Sequence, residues 1–342
     1  MSIFGKLASD LGKLVSDFVD KLPDSLLGQQ SPQVSGSEPL EVMTPRAYVI
    51  NFDPVMDLAT GERLTQRMGW RDINELIAGY IADIEACSGG LVKYSVVGRT
   101  DVDPFPAKVD GFEYTPDGFL AVMDQQAPAH DPDWVDYHRI VADHRLIERV
   151  MADEFDEVWM FGPPYGGFYE SRMVGKGAFW CNAPALEDTD HCAKRFVMMG
   201  FSYQRGVGEM LEDLGHRAES IMDKVYEHTR GDANLWKRFS RYDQVAPGQA
   251  EVGMLHFAPN SVQDYDWGNP TPVTSRCDDW LNFPNLTGAS RVVTCADWGN
   301  GDIREHHTWW FKRVPKVAGS MNGIRTNWWH YSVQVNDPYF DR

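Results

Sequence analysis

Apolar positions recur along this chain in several rhythms, and the changes between them divide it into regions. Over residues 1–27, Ile3, Phe4, Leu7, Leu11, Leu14, Val15, Phe18, Val19 and Leu22 fall three or four apart. That spacing predicts an amphipathic helix. Asp10, Asp17, Asp20 and Asp24 outnumber Lys6, Lys13 and Lys21 between them. Membrane-surface helices usually carry a basic polar face, so an acidic one predicts docking onto a protein partner. Residues 28–43, with Gln29, Gln30, Ser31, Pro32, Ser35, Gly36 and Ser37, have the composition of a flexible linker.

Residues 44–244 alternate short, nearly continuous apolar runs with helical periodicity. Strands are predicted at 46–52, 91–97, 157–161 and 195–201, and helices at 72–87, 134–154 and 206–228. Buried strands separated by helices predict an α/β fold, a mostly parallel sheet with helices on both faces. In such sheets ligands gather at the carboxyl ends of the strands. Here those ends are Asp53, Arg99, the segment 163–170, and Ser202 with Tyr203. No G-x-G-x-x-G or G-x-x-x-x-G-K-[ST] follows a strand, which argues against the familiar nucleotide folds. A G-x-S-x-G elbow is also absent, which argues against the common serine hydrolase of this fold class.

Residues 245–342 lose periodicity. Seven of the chain's twelve tryptophans fall there, among Asn, Asp, Gly and Pro. This predicts an irregular Trp-rich region packed onto the α/β core and completing its site. The tryptophan pairs at 309–310 and 328–329 are expected to be core packing.

Composition narrows the partners. The 342 residues carry 50 acidic and 32 basic side chains, a formal charge of −18. Nucleic acid and anionic membranes repel such a surface. No run approaches the roughly 20 apolar residues of a membrane span. Charged residues interrupt the first apolar stretch, unlike a signal peptide, so the expectation is cytoplasmic synthesis with the five cysteines reduced. Release by a route that needs no signal peptide, and disulfides Cys181–Cys192 and Cys277–Cys295, are the alternatives.

Three constellations carry chemistry. Glu209, Glu212, His216, Glu219 and Asp223 are three or four apart and share one stripe of the helix at 206–228. His216 with Glu212 and Glu219 makes a candidate divalent-metal set, and His216 with Glu219 an acid–base pair. The plain alternative is a solvated polar face. At the end of the strand at 157–161, residues 162–172 hold Tyr165, Tyr169, Glu170 and Arg172 around two glycines. Glu170 is the first choice for a general acid or base, against a structural ion pair with Arg172. In the Trp-rich region His256, Asn260, Asp266 and Trp267 are suited to orient a polar substrate, with Asx-turns as the plain alternative. His306 and His307, read as extended chain, face opposite ways and are not expected to ligate one ion together.

The function expected from this set is hydrolysis of a neutral polar substrate. Glu170, His216 and Glu219 would be catalytic, and Asp53, Tyr165, Arg172, His256, Asn260, Asp266 and Trp267 would bind substrate. A glycan fits the composition, or a peptide if a divalent metal is the cofactor. The alternative is a non-catalytic glycan- or protein-binding protein, carried as cargo or as a component of a larger assembly through residues 1–27.

Overall fold

The computed structural model describes residues 38–342; the helix predicted over 1–27 and most of the linker lie outside them. Its centre is a five-stranded sheet of β1 (Arg46–Phe52), β4 (Ser95–Val102), β5 (Glu157–Gly162), β6 (Ser171–Val174) and β7 (Phe196–Ser202). The order is β4-β1-β5-β7-β6, parallel except for β6, which runs antiparallel to β7. A small hairpin, β2 (Val55–Asp57) and β3 (Glu62–Arg63), leads from β1 into α1 (Leu64–Met68) and α2 (Ile73–Cys87). The linker predicted at 28–43 ends early: Met43 is buried, and its backbone N–H donates to Leu91.

Alternation along the strands sends side chains to two separate cores. Ala47, Val49, Trp159, Phe161, Met199 and Phe201 face α2 and the long helix α6 (Val207–Tyr226). Tyr48, Ile50, Val158, Met160 and Met198 face Tyr137, Ile140, Leu146 and Val150 of α4 (Tyr137–Asp143) and α5 (Leu146–Met151). Helices therefore cover both faces, as expected. The single helix predicted over 134–154 is two, because Arg145 between them takes a left-handed conformation (φ 50°, ψ 45°). The short α3 (Pro116–Met123) precedes this pair.

The chain beyond α6 continues the first core. Trp236 and Phe239 of α7 (Leu235–Phe239) pack against Trp280, Trp310 and Trp328 with ring centres 5.0–6.3 Å apart. The region expected to be irregular contains the hairpins β8 (Val273–Ser275)/β9 (Arg291–Val293) and β10 (Lys316–Met321)/β11 (Ile324–Asn327). It also holds two helices, α8 (Ile303–Arg313) and α9 (Trp328–Val333). All five cysteines are buried and free.

α6 lies between the sheet and this C-terminal layer, so Glu212 and Glu219 of its polar stripe are buried and Glu209 and His216 half-buried, while Asp223 is exposed. Two glycines let the layer close. A Cβ on Gly208 would stand 2.5 Å from Ile303 Cγ2, and one on Gly215 would stand 2.4 Å from Leu255 Cδ2. Glycine inside a helix costs about 1 kcal/mol relative to alanine; here it permits close approach of the segment carrying His256. Among the described residues no helix is long and apolar enough to cross a membrane.

Candidate functional site

The second, third and fourth turns of α6 turn Glu212, His216 and Glu219 toward the segment 253–267. Glu219 accepts the backbone N–H of Leu255 through Oε1 (2.9 Å), which fixes that segment one residue from His256. His256 Nε2 then lies 2.7 Å from Glu212 Oε1 and 2.9 Å from His216 Nε2. His216 Nε2 is 3.9 Å from the same Glu212 oxygen. Among the described residues Glu212, His216 and His256 bring donor atoms within 4.8 Å of one another, the spacing of a metal-ligand set.

Both rings are held from behind. His216 Nδ1 donates to Glu219 Oε2 at 3.0 Å, and His256 Nδ1 donates to Asp264 Oδ1 at 3.0 Å. A neutral imidazole that donates through Nδ1 keeps its lone pair on Nε2. In the metal-free chain His256 Nε2, hydrogen-bonded to Glu212, carries a proton, and the lone pair of His216 Nε2 is turned toward it. Lone pairs at 2.9 Å repel unless a proton or a metal cation lies between them.

The local charge balance also calls for a cation. Burial opposes charge on His256, but its hydrogen bonds to Asp264 and Glu212 raise its pKa to about 10. Burial likewise opposes charge on His216, yet the carboxylates of Glu170 and Glu219 raise its pKa. Burial would raise Glu212, whereas the hydrogen bond from His256 and that ring's charge lower it to about 2. Desolvation, with the neighbouring charges of Glu170 and Glu212, pushes the Asp213 carboxyl well above its ordinary value. Two imidazolium N–H groups have no room to point at each other across 2.9 Å, so the pair carries a single proton at most unless a metal replaces it.

The cluster is open on one side. The side chains of His216 and His256 keep 16% and 18% of their exposure, whereas Glu212 keeps 6%. Tyr265 lies over His256 with ring centres 4.1 Å apart. Trp267 closes the back, 6.4 Å from His256, with its Nε1 donating to the Leu255 carbonyl at 3.0 Å. Glu170 stands at the start of β6, held by Asn182 Nδ2, and its charge acts on His216, Asp213 and Tyr265.

The site thus unites Glu170, Glu212, His216, Glu219, His256 and Trp267 of the predicted residues. Others make their contacts elsewhere. Asp53 accepts from the backbone N–H and hydroxyl of Thr65 (3.0 and 2.7 Å), anchoring α1. Tyr165 gives its carbonyl to the buried Lys108. Arg172 does not pair with Glu170; it donates to the Pro184 carbonyl and stacks over Tyr137 and Tyr169. Asn260 ties the carbonyls of Asn269 and Thr271 (2.8 and 2.6 Å), and Asp266 accepts from Val262 N and Asn269 Nδ2, so both shape the turn beneath Trp267. The cluster lies on α6 against the C-terminal layer, and Glu170, from the strand-end segment 163–170, is the predicted strand-end residue whose charge acts on it. Sequence reasoning missed Tyr265 as a site residue; the signal was its place between Asp264 and Asp266 in the Asp–Trp loop.

His306 and His307 differ from expectation as well. They lie on the helix α8, fully buried, with ring centres 5.2 Å apart. Burial pushes the His307 pKa down to about 4 and that of His306 well below its usual value, so both rings are neutral. Comparison of the chain with protein-family models, with curated proteins and with solved structures finds no match.

Proposed function

We propose that the protein is a divalent-metal-dependent hydrolase whose cation is held by Glu212, His216 and His256. The observation that carries this reading is the pair of Nε2 atoms 2.9 Å apart beside Glu212 Oε1, each imidazole backed by a carboxylate at Nδ1. Histidines that ligate metals commonly have this second hydrogen bond, which fixes the tautomer and raises ligand basicity. Metal–ligand bonds of about 2.0–2.1 Å place tetrahedral donors about 3.3 Å apart. The present separations of 2.7, 2.9 and 3.9 Å bracket that value.

Two histidines and one carboxylate leave coordination positions free, the arrangement of a catalytic rather than a closed structural site. A divalent ion supplies Lewis acidity there, polarising a carbonyl and acidifying bound water. Glu170 is the general base in this reading, since its charge acts on His216 and its carboxylate has only Asn182 as a hydrogen-bond partner among the described residues. Tyr265 and Trp267 form the wall for the substrate. The surplus of carboxylates favours a neutral or cationic polar substrate over a phosphorylated one.

The test uses the full chain, stripped with chelator and reloaded with Zn²⁺ or Mn²⁺, on chromogenic esters, peptide anilides and glycosides. The reading predicts hydrolysis of one class that chelation abolishes and the ion restores. It also predicts a fall of about 100-fold or more in Glu170→Gln. Turnover indifferent to chelation, or absent with every class, would overturn it.

A further inference from the structure

We propose that His307 is a fourth protein donor of the centre, so that the bound cation is held by three imidazoles and one carboxylate. This deepens the metal reading above and rests on it. The packing of α8 on α6 sets the register. Gly208 lies directly against Ile303, with a Cβ there only 2.5 Å from Ile303 Cγ2. One turn onward on each helix come Glu212 and His307.

The orientation of the ring follows from its own hydrogen bond. His307 Nδ1 meets the Ile303 carbonyl, which only accepts, so Nδ1 carries the hydrogen and Nε2 the lone pair. With Nδ1 tied back to its own helix, Nε2 on the far side of the ring projects away from α8. That nitrogen is fully buried and has no hydrogen-bond partner. A buried polar atom without a partner is rare and calls for an explanation. An imidazole fixed at Nδ1 by a carbonyl, with a free Nε2 and its ring against the same Trp267 that flanks His256, has one: it completes a coordination shell. Trp267 lies 5.1 Å from His307 and also flanks His256, so the rings share one wall. His306 plays a different part, stacked flat between Trp267 and Trp309 as a packing residue.

His307 lies outside the group whose donors fall within 4.8 Å of one another. The cation therefore draws it inward on binding. Four protein donors fill a tetrahedral shell and leave one or two positions on a five- or six-coordinate ion. Hydrolysis at this centre then requires the larger coordination number.

The test is long-range ¹H–¹⁵N spectroscopy of the histidines in the full chain during Zn²⁺ titration, with assignments from single His→Gln variants. Three Nε2 resonances, those of His216, His256 and His307, are expected to shift together to coordinated values at one equivalent. His307→Gln should also weaken Zn²⁺ binding at least 10-fold in a competition assay. Coordination by His216 and His256 alone, with His307→Gln binding as tightly as the parent, would overturn the fourth donor and leave the three-residue centre standing. No histidine shift at all would overturn both.

Discussion

Two polar clusters on α6 begin one residue apart and behave oppositely. Arg217 points toward the sheet and is enclosed with Glu157, their side chains 1% and 2% exposed. Its Nη1 donates to Glu157 Oε2 at 2.8 Å, and the same carboxylate accepts from Tyr94 Oη (3.1 Å) and Trp159 Nε1 (2.6 Å). One cation meets one anion, and both carboxylate oxygens are satisfied. His216 points the other way, into a cluster with more carboxylates than cations, facing His256 Nε2 and an opening to solvent. The difference teaches how to separate a structural buried charge from a functional one. Burial is common to both, and Arg217 Nε is itself buried without a partner; charge balance is what differs.

The largest expected effect breaks the balanced cluster. Arg217→Met leaves Glu157 charged and buried without its partner, and should destabilise the fold by about 3–5 kcal/mol in denaturant unfolding. His216→Ala in the metal-free chain removes a cluster that is not balanced, so its cost should be well below that of Arg217→Met. Equal losses in the two variants would show that the clusters are alike.

Gly215→Ala acts at the junction of the layers. Its Cβ collides with Leu255, whose backbone N–H binds Glu219 next to His256. Overpacking of this kind costs about 1–3 kcal/mol. The variant should also bind Zn²⁺ more weakly than the parent, measured by competition with a chromogenic chelator. Asp264→Asn should leave the unfolding midpoint nearly unchanged and weaken Zn²⁺ binding about 10-fold, because it removes only the carboxylate behind His256.

A pH slope separates the clusters as well. The folded pKa of His256, raised to about 10, lies above the ordinary histidine value near 6.5. Its contribution to the stability of the metal-free chain is fully present below about pH 6.5 and is lost as pH rises toward 10. Arg217 adds no slope there: burial opposes its charge, but Glu157 holds its pKa above the arginine value. Metal-free protein should therefore unfold more easily at pH 9 than at pH 6, and His256→Gln should flatten that trend.

Much of the framework was legible in the chain. β1, α2, β5 and α6 appear where apolar runs and three-to-four spacing predict them, because each has one strongly apolar face or is buried outright. β6 was not legible, since four residues carry too little periodicity. α8 was not legible as a helix, although Arg304, Glu305 and Lys312 are exposed along it, because the buried His306 and His307 break the apolar side of the pattern and read as extended chain. The site was legible in part. Spacing on α6 singles out Glu212, His216 and Glu219 together, but helical spacing alone does not separate the ligand from its support. The fold makes that division by bringing His256 to Glu212 and turning Glu219 onto His216 Nδ1. Asp53, Tyr165 and Arg172 drew attention through the rule for strand tips, whereas the cluster formed on α6 against the C-terminal layer.

The central claim is that the cluster around His216 is completed by a cation. The most direct measurement is the metal content of the full chain after chelator treatment, reloading with Zn²⁺ and removal of free ion, alongside His216→Ala and His256→Ala. The account predicts one tightly held ion per chain in the parent and none in either variant. No retained ion in the parent, or equal retention in both variants, would contradict it.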